Sequence, residues 1–447
     1  MNGSNFILQK VNKVFSEVKW RVLKQESMST DPDRLDLIVF GATGYTGKCA
    51  VKNLVSLSKQ YNVKWGIAGR NLAALQNSLK WASDKTGENL IDIPIVIADL
   101  KTESSILIMA KKCRVLLNCV GPYTWYGETV VKACIEAKTH HLDITGEPYF
   151  MEHIQYEYNS RAQESEVYIV SACGIETLPL DMGVLMLQDM FEGQPNSMDC
   201  YISFGYEGSK RQKGAALHTG TWDSALLIGK MEDKRKEIHR KLYPTGLKQF
   251  DPLPEPRAPV HKFNSRYCVE AIIGPDQSVI SRTQQYLYEN QGRRPVPFKS
   301  YFMLPYWLLA WGFYIAALVF LMLTKFNPFC ILLSKFPQLY SFGMVSREGP
   351  REDELEFFKM KTVIQATGWE SKTSKKDKTM QLTLKCSDPG YNFTSTILIM
   401  AGITLLKETE HLPAKGGVFT PGALFYKTNI MDELCKQGLT IEKETKT

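Results

Sequence analysis

Short apolar runs alternate with longer amphipathic stretches over the first half of the chain. The runs that predict β-strands are residues 35–40, 63–70, 93–98, 115–120 and 141–145. Between them, residues 104–112 and 128–137 carry apolar side chains at helical spacing. Strands that are apolar on both faces and alternate with helices are typical of a parallel sheet covered on both sides. The pattern therefore predicts a doubly wound α/β domain over residues 31–190.

The second half of the chain has a different pattern. Residues 198–206 and 359–369 alternate between apolar and polar positions, and residues 380–386 are positioned to pair with the latter across a basic loop. This predicts a second α+β domain with a largely antiparallel sheet, made of residues 191–300 and 345–389. Residues 390–447, with an apolar helix over 396–406, are expected to return onto the first domain.

A long apolar segment interrupts this second domain. Residues 300–324 contain no charged side chain, and Tyr301, Tyr306, Trp307, Trp311 and Tyr314 lie in its first half. About 20 apolar residues in a helix span a bilayer core, and aromatic side chains favour its interface. A buried interdomain or homodimer helix and a single crossing are both alternatives. We favour a membrane-associating hairpin over residues 301–344, which keeps both flanking halves on one side.

Charge is concentrated in two places. Hydrophobic residues make up 44% of the 447, and the formal net charge is +7. Residues 230–299 hold 14 Lys and Arg against 8 Asp and Glu, and the amphipathic N-terminal extension, residues 1–30, is also basic. No nucleic-acid-binding motif accompanies these blocks, so an anionic membrane surface is the favoured partner. The extension also fits a mitochondrial presequence, a surface helix, or translation that begins at Met28.

The ten cysteines are scattered and form no C-x-x-C pair. This spacing favours neither a zinc site nor a dithiol, so no metal is predicted and a reducing compartment is expected.

The first predicted strand runs into a turn rich in glycine. Residues 41–47 read Gly41, Ala42, Thr43, Gly44, Tyr45, Thr46 and Gly47, and a helical pattern follows. Strand, glycine turn and helix in this order form the dinucleotide fingerprint of a Rossmann-type fold, whose helix N-terminus faces the pyrophosphate. The backbone of residues 41–47 is therefore predicted to bind the cofactor.

The end of the second strand predicts which cofactor binds. Arg70 stands where a carboxylate would read the ribose hydroxyl of NAD, and a guanidinium suits the 2′-phosphate of NADP. NADP is therefore the predicted cofactor and NAD the less favoured one, although a solvated arginine at a strand end is the alternative. Asp99, after the third strand, is placed to accept from the adenine amino group.

Later strand ends are expected near the nicotinamide, because ligands lie outside the carboxyl ends of parallel strands. The cofactor-binding residues predicted there are Asn118, Val120, Gly121 and Pro122. Reduction also needs a proton donor, for which the candidates are Tyr123, Tyr126 and Glu147. Each tyrosine also fits a simple pocket wall. Asp143 fits a structural or ribose-contacting role, and His218 is a further candidate.

Several motifs together resemble one family. They are residues 40–47, 68–70, 118–123, 126–128, 143–148, 174–183 and 416–423. The chain resembles the saccharopine dehydrogenase-like oxidoreductases from about residue 35 to about residue 435. The resemblance implies a pyridine-nucleotide oxidoreductase, and the family is similar in turn to saccharopine reductases and to bacterial enoyl reductases of lipid assembly.

Three functions follow as hypotheses. The favoured one is an NADP-dependent reductase that acts on a carbonyl or activated double bond of a lipid-type small molecule. It would work at the cytoplasmic face of a membrane or lipid droplet, with the mitochondrion as the alternative location. The other two are an inactive nucleotide-binding adaptor at a membrane surface and a saccharopine or amino-acid dehydrogenase.

Overall fold

Strands and helices alternate along the part of the chain that the computed structural model describes, which is residues 34–207, 214–370 and 378–446. The predicted N-terminal extension lies outside these residues. The strands are β1 (Leu35–Phe40), β2 (Trp65–Gly69), β3 (Ile95–Ile97), β4 (Cys113–Asn118), β5 (His140–Asp143), β6 (Tyr168–Val170), β7 (Gln194–Tyr206), β8 (Leu217–His218), β9 (Val260–Phe263), β10 (Arg266–Glu270), β11 (Phe298–Leu304), β12 (Val345–Ser346), β13 (Phe358–Trp369), β14 (Lys378–Ser387), β15 (Gly417–Phe419) and β16 (Thr440–Lys446).

The helices connect these strands. They are α1 (Tyr45–Tyr61), α2 (Leu72–Thr86), α3 (Glu103–Lys111), α4 (Tyr123–Glu136), α5 (Pro148–Glu164), α6 (Leu178–Met190), α7 (Thr219–Leu242), α8 (Asp276–Gln291), α9 (Trp307–Leu323), α10 (Asn327–Lys335), α11 (Pro337–Tyr340), α12 (Glu352–Leu355), α13 (Thr394–Lys407), α14 (Pro421–Phe425) and α15 (Ile430–Lys436).

The first sheet is parallel throughout and has the strand order β15-β6-β5-β4-β1-β2-β3. Leu37 and Val39 pack with apolar side chains of α1, α2 and α13 on one face. Ile38 and Phe40 pack with α3 and α4 on the other face. This confirms the predicted α/β fold. The strand order reverses between β1 and β4, which places a cleft at their carboxyl ends.

The second sheet is mixed and has the order β16-β14-β13-β7-β11-β10-β9. The predicted hairpin of β13 and β14 is present, with Ile364 opposite Leu382. Strands β7 and β11 are parallel, with Tyr201 opposite Tyr301, whereas the other neighbouring strands are antiparallel.

Three segments lie elsewhere than the sequence pattern predicted. Helix α6, which the sequence pattern assigns to the first domain, packs on the second sheet. The contact is close, since a Cβ at Gly183 would lie 2.7 Å from Cδ1 of Ile364 on β13. The C-terminal segment divides, since β15 joins the first sheet but β16 pairs with β14. Residues 301–304, which were expected to begin the membrane-associating hairpin, instead form the end of strand β11, where Tyr301 is buried.

The rest of that apolar segment forms a bent helix pair. Helices α9 and α10 meet at an angle of 119°. Within the described ranges, no single helix has both the length and the apolar composition needed to cross a membrane; only this bent pair, taken together, meets that criterion.

A buried carboxylate joins the second half of the fold to the C-terminal segment. Asp181 on α6 accepts hydrogen bonds from the Thr283 hydroxyl at 2.6 Å and from the Gly422 backbone N–H at 2.7 Å. Burial raises the pKa of Asp181 to about 7. The approach of α14 to this carboxylate requires glycine, because a Cβ at Gly422 would lie 2.6 Å from it.

We expect Gly422→Ala to lower the free energy of unfolding by about 1–3 kcal/mol, because the added methyl overlaps the Asp181 carboxylate. Urea unfolding followed by circular dichroism measures this loss. Gly390→Ala is the matched control, since a Cβ there meets no atom within 4 Å. Equal stability of the two variants would show that α14 can move away from Asp181.

Candidate active site

The glycine turn forms an open cradle at the start of α1. Gly41 has a φ of +87°, and a Cβ there would lie 2.7 Å from Cγ2 of Val120. At Gly47 a Cβ would lie 2.1 Å from the Gly41 carbonyl oxygen, so strand and helix approach closely only with glycine. Thr43 and Gly44 are exposed, and α1 starts without a side-chain cap. This exposed helix N-terminus fits a pyrophosphate.

The residues predicted to hold the adenosine half lie side by side. Arg70 is exposed immediately after β2, and Asp99 is half-buried shortly after the neighbouring strand β3. The Asp99 carboxylate accepts from the Lys101 backbone N–H at 3.0 Å, and the Asp99 N–H donates to Ser105 Oγ at 2.9 Å. Arg70 is therefore open to a phosphate, while Asp99 also fixes its own turn.

Asn118 and Tyr123 shape the turn after β4. Asn118 is fully buried, and its Oδ1 accepts from the Val120 N–H at 3.0 Å. The Tyr123 hydroxyl donates to the Asn118 carbonyl oxygen at 3.0 Å. Gly121 is exposed, and a cis peptide bond joins it to the buried Pro122. The phenol of Tyr123 is thus directed into the turn, and burial raises its pKa well above the ordinary value.

Glu147 connects the first sheet to the long helix α7. Its side chain is buried, and its carboxylate accepts from the backbone N–H groups of Tyr123 at 2.9 Å and of Thr124 at 2.7 Å. These residues begin α4, so the carboxylate lies at the positive end of that helix. The Ser224 hydroxyl on α7 donates to the same carboxylate at 2.7 Å. Three donors therefore hold the Glu147 carboxylate between α4 and α7, and we call this set of contacts the Glu147 bridge.

Asp143 and His141 lie beneath the cleft. Both are fully buried on β5, and the Asp143 carboxylate accepts from the Thr145 and Ala172 N–H groups, each at 3.0 Å, and from Ser171. Burial raises the pKa of Asp143 to about 7 and lowers that of His141 to about 3. Asp143 therefore fixes the loops after β5 and β6 from below.

The ring of Tyr45 faces away from the cradle, towards the second half of the chain. Its hydroxyl donates to the Pro350 carbonyl oxygen at 2.7 Å, and its ring centroid lies 4.5 Å from that of Tyr391. The His218 N–H donates to the Tyr391 hydroxyl at 2.7 Å, and His218 Nδ1 accepts from the Gly220 N–H at 3.1 Å. His218 therefore caps α7, beside the glycine turn.

Two further acidic or phenolic groups follow strands of the first sheet. Tyr126, on the first turn of α4, is 40% exposed. Glu176 is also exposed, yet it lines a narrow pocket together with Met360 and Thr362 of the second sheet. Desolvation by the surrounding protein, with a smaller effect of Asp276, raises the pKa of Glu176 to about 7.

Glu176 is not among the proton donors predicted from the sequence. The available signal was an acid that follows a strand end, the same signal that selected Glu147. What the sequence did not indicate is that the loop after β6 faces the second sheet.

Comparison with known proteins gives the family. A protein-family model described as "Saccharopine dehydrogenase NADP binding domain" matches residues 37–170. A human saccharopine dehydrogenase-like oxidoreductase is 34% identical over 430 residues, which cover 92% of this chain and 98% of the relative. The chain belongs to the saccharopine dehydrogenase-like oxidoreductases. It is an NADP-binding oxidoreductase, as predicted.

Two further comparisons extend this result. A Caenorhabditis elegans relative named lipid droplet localized protein is 30% identical, and the match covers 92% of this chain and 99% of the relative. An apo saccharopine dehydrogenase (L-Glu forming) from Saccharomyces cerevisiae superposes with a TM-score of 0.51 at 14% identity, covering 92% and 99% of the two chains. The latter similarity concerns the fold alone.

We expect Arg70→Ala to weaken NADPH binding about tenfold or more and to leave NADH binding unchanged, because only NADPH carries a 2′-phosphate for the guanidinium. Calorimetric titration with both nucleotides measures the effect. Lys80→Ala, which removes an exposed charge on α2, is the control. If the wild-type protein binds the two nucleotides equally well, Arg70 does not select the cofactor.

Proposed function

We propose that this oxidoreductase uses NADPH to reduce a carbonyl or an activated double bond of a lipid-type molecule at a membrane or lipid-droplet surface. The observation that carries the proposal is a large exposed apolar surface beside the cofactor cleft. The name of the C. elegans relative also points to lipid.

The apolar surface belongs to residues 306–344, which we call the apolar hairpin. Among its most exposed side chains are Leu308 at 76%, Ile331 at 68% and Phe342 at 96%. Large apolar side chains are exposed on both α9 and α10. Soluble monomers rarely expose a contiguous apolar patch larger than a few hundred Å². Lipid is the occupant that we propose for it.

Charges around the apolar hairpin suit an anionic lipid surface. Lys325 and Lys335 are exposed at the ends of α9 and α10. The neighbouring helix α7 adds exposed Lys230 and Lys234, whereas Lys236 pairs with Glu232 at 3.8 Å and Lys325 with Asp233 at 3.5 Å. Lysine side chains near anionic headgroups strengthen surface binding by about 1 kcal/mol each. Apolar insertion with basic flanks supports association with one leaflet and keeps both sheets on the same side.

The bound cofactor supplies the hydride, and the chain binds it, orients it and supplies a proton. We assign the proton to Glu176, because it follows β6 of the parallel sheet, lines the pocket between α6 and the second sheet, and has a pKa raised to about 7 by desolvation. Tyr126 is the second candidate. Tyr123 and Glu147 serve in our proposal to position the turn after β4, since their polar atoms hold that turn and α7 together.

A dehydrogenase for saccharopine is less favoured. That substrate carries several carboxylates, and a site for it requires cationic side chains. The exposed apolar side chains of the apolar hairpin favour an amphiphilic substrate instead.

We expect the purified protein to oxidise NADPH with amphiphilic enones or ketones and to turn over saccharopine with NADP far more slowly. Glu176→Gln is expected to lower kcat about 100-fold or more without changing NADPH affinity, since general acids contribute about that much. Tyr126→Phe is the matched comparison and should change kcat little. Steady saccharopine turnover would overturn the substrate class, and the reverse order of the two variants would reassign the proton donor.

We also expect the protein to float with vesicles of phosphatidylcholine and phosphatidylserine and to stay bound in high salt. Leu308→Asp with Ile331→Asp should abolish flotation, because burying two carboxylates in lipid is unfavourable. Ile91→Asp is the control, since Ile91 is 81% exposed but lies outside the apolar hairpin. Full recovery of the wild type in the soluble fraction, or a dimer that does not float, would contradict lipid association.

A further inference from the structure

The apolar hairpin leaves the second sheet and rejoins the fold beside the glycine turn. It starts directly after β11 and ends directly before β12. Strand β12 pairs with β8, with Val345 opposite Leu217 and Ser346 opposite His218. Since β8 runs into α7, the exit of the apolar hairpin is fixed to the start of the helix that carries Ser224.

The first turn of α7 forms one connection between the apolar hairpin and the cleft. Trp222 Nε1 donates to the Leu333 carbonyl oxygen of α10 at 3.0 Å. The next residue, Asp223, accepts from the Ser334 hydroxyl at 2.9 Å. The residue after that, Ser224, donates to Glu147 at 2.7 Å. A displacement of α10 therefore acts on the helical turn that holds the Glu147 bridge.

The segment after β12 forms a second connection. The Pro350 carbonyl oxygen accepts from Tyr45 Oη, and a Cβ at Gly349 would lie 2.9 Å from the Tyr45 ring. Tyr45 is the first residue of α1, where the backbone N–H groups face the pyrophosphate site. Helix α10 is thus connected to Glu147 through α7, and residues 345–350 contact the first residue of α1.

We propose that insertion of the apolar hairpin into lipid and binding of NADPH are coupled, so that each strengthens the other. This inference rests on the proposed lipid association. A hairpin held by lipid restricts the motion of α10 and of residues 345–350, and it thereby increases the fraction of molecules in which Ser224 binds Glu147 and Tyr45 binds Pro350 before the nucleotide arrives. Binding to an ordered site loses less conformational entropy, so its affinity is higher. Thermodynamic linkage requires the reverse effect to be equal.

As a consequence, the reductase binds NADPH most tightly on the lipid surface that holds its substrate. In water, the same chain binds NADPH more weakly. Coupling of this kind confines turnover to lipid-bound molecules without a separate regulatory site.

The test measures NADPH dissociation constants by fluorescence titration, with and without vesicles of phosphatidylcholine and phosphatidylserine in a 4:1 ratio. It also measures vesicle partitioning with and without NADPH. We expect affinity to rise about fivefold or more with vesicles, and partitioning to rise by the same factor with NADPH. The double variant Trp222→Phe, Ser334→Ala removes two hydrogen bonds to α10 and should reduce both factors towards one while binding to each ligand persists.

The control is Trp81→Phe with Ser56→Ala, which makes the same chemical changes on α2 and α1, away from the apolar hairpin. It should keep the wild-type coupling. A wild-type protein that floats but binds NADPH equally with and without vesicles overturns the coupling and leaves lipid association intact. A protein that does not float overturns both. Unchanged coupling in the Trp222 and Ser334 variant overturns the connection through α10.

Discussion

The buried carboxylate of Glu147 is the contact on which the geometry of the cleft depends. A carboxylate removed from water costs several kcal/mol unless donors surround it. Here the donors are the N-terminus of α4 and the Ser224 hydroxyl of α7. Because all of them are needed at once, the turn after β4, the loop after β5 and the start of α7 adopt one joint arrangement. The nicotinamide side of the cleft is built on that arrangement.

Other polar groups near the strand ends divide into buried and accessible ones. Asp143 and Asn118 lie below the cleft and fix backbone N–H groups of the loops. Arg70, Thr43 and Glu176 are exposed to solvent. Buried groups whose hydrogen bonds are satisfied hold a rigid frame, whereas the accessible ones are left for ligands. This division explains why residues of similar chemistry, such as Glu147 and Glu176, have different roles in our proposal.

The role that we propose for the apolar hairpin depends on its position relative to the cleft. An apolar helix pair far from the cleft would serve only as an attachment. Here α10 contacts α7, and β12 lies against β8, so the surface that we propose for lipid and the start of α7 belong to connected structural elements. In our proposal, attachment to lipid and orientation of the cleft are therefore properties of one unit.

The sequence by itself determined the parallel sheet, the glycine turn with Arg70, and the presence of an uncharged apolar segment. These features are local: the strand and helix periods, the positive φ of Gly41 and the close approach of Gly47 to Gly41 all depend on residues near one another in the chain. Only the tertiary structure decided that Tyr123 points into its own turn, that α6 packs on the second sheet, that β11 takes the start of the apolar segment, and that Glu176 faces a pocket. Those outcomes depend on partners distant in the chain. Glu147 and Ser224 are 77 residues apart. No local pattern of apolar and polar residues specifies which buried carboxylate meets which distant donor, because that choice follows from how whole sheets and helices pack.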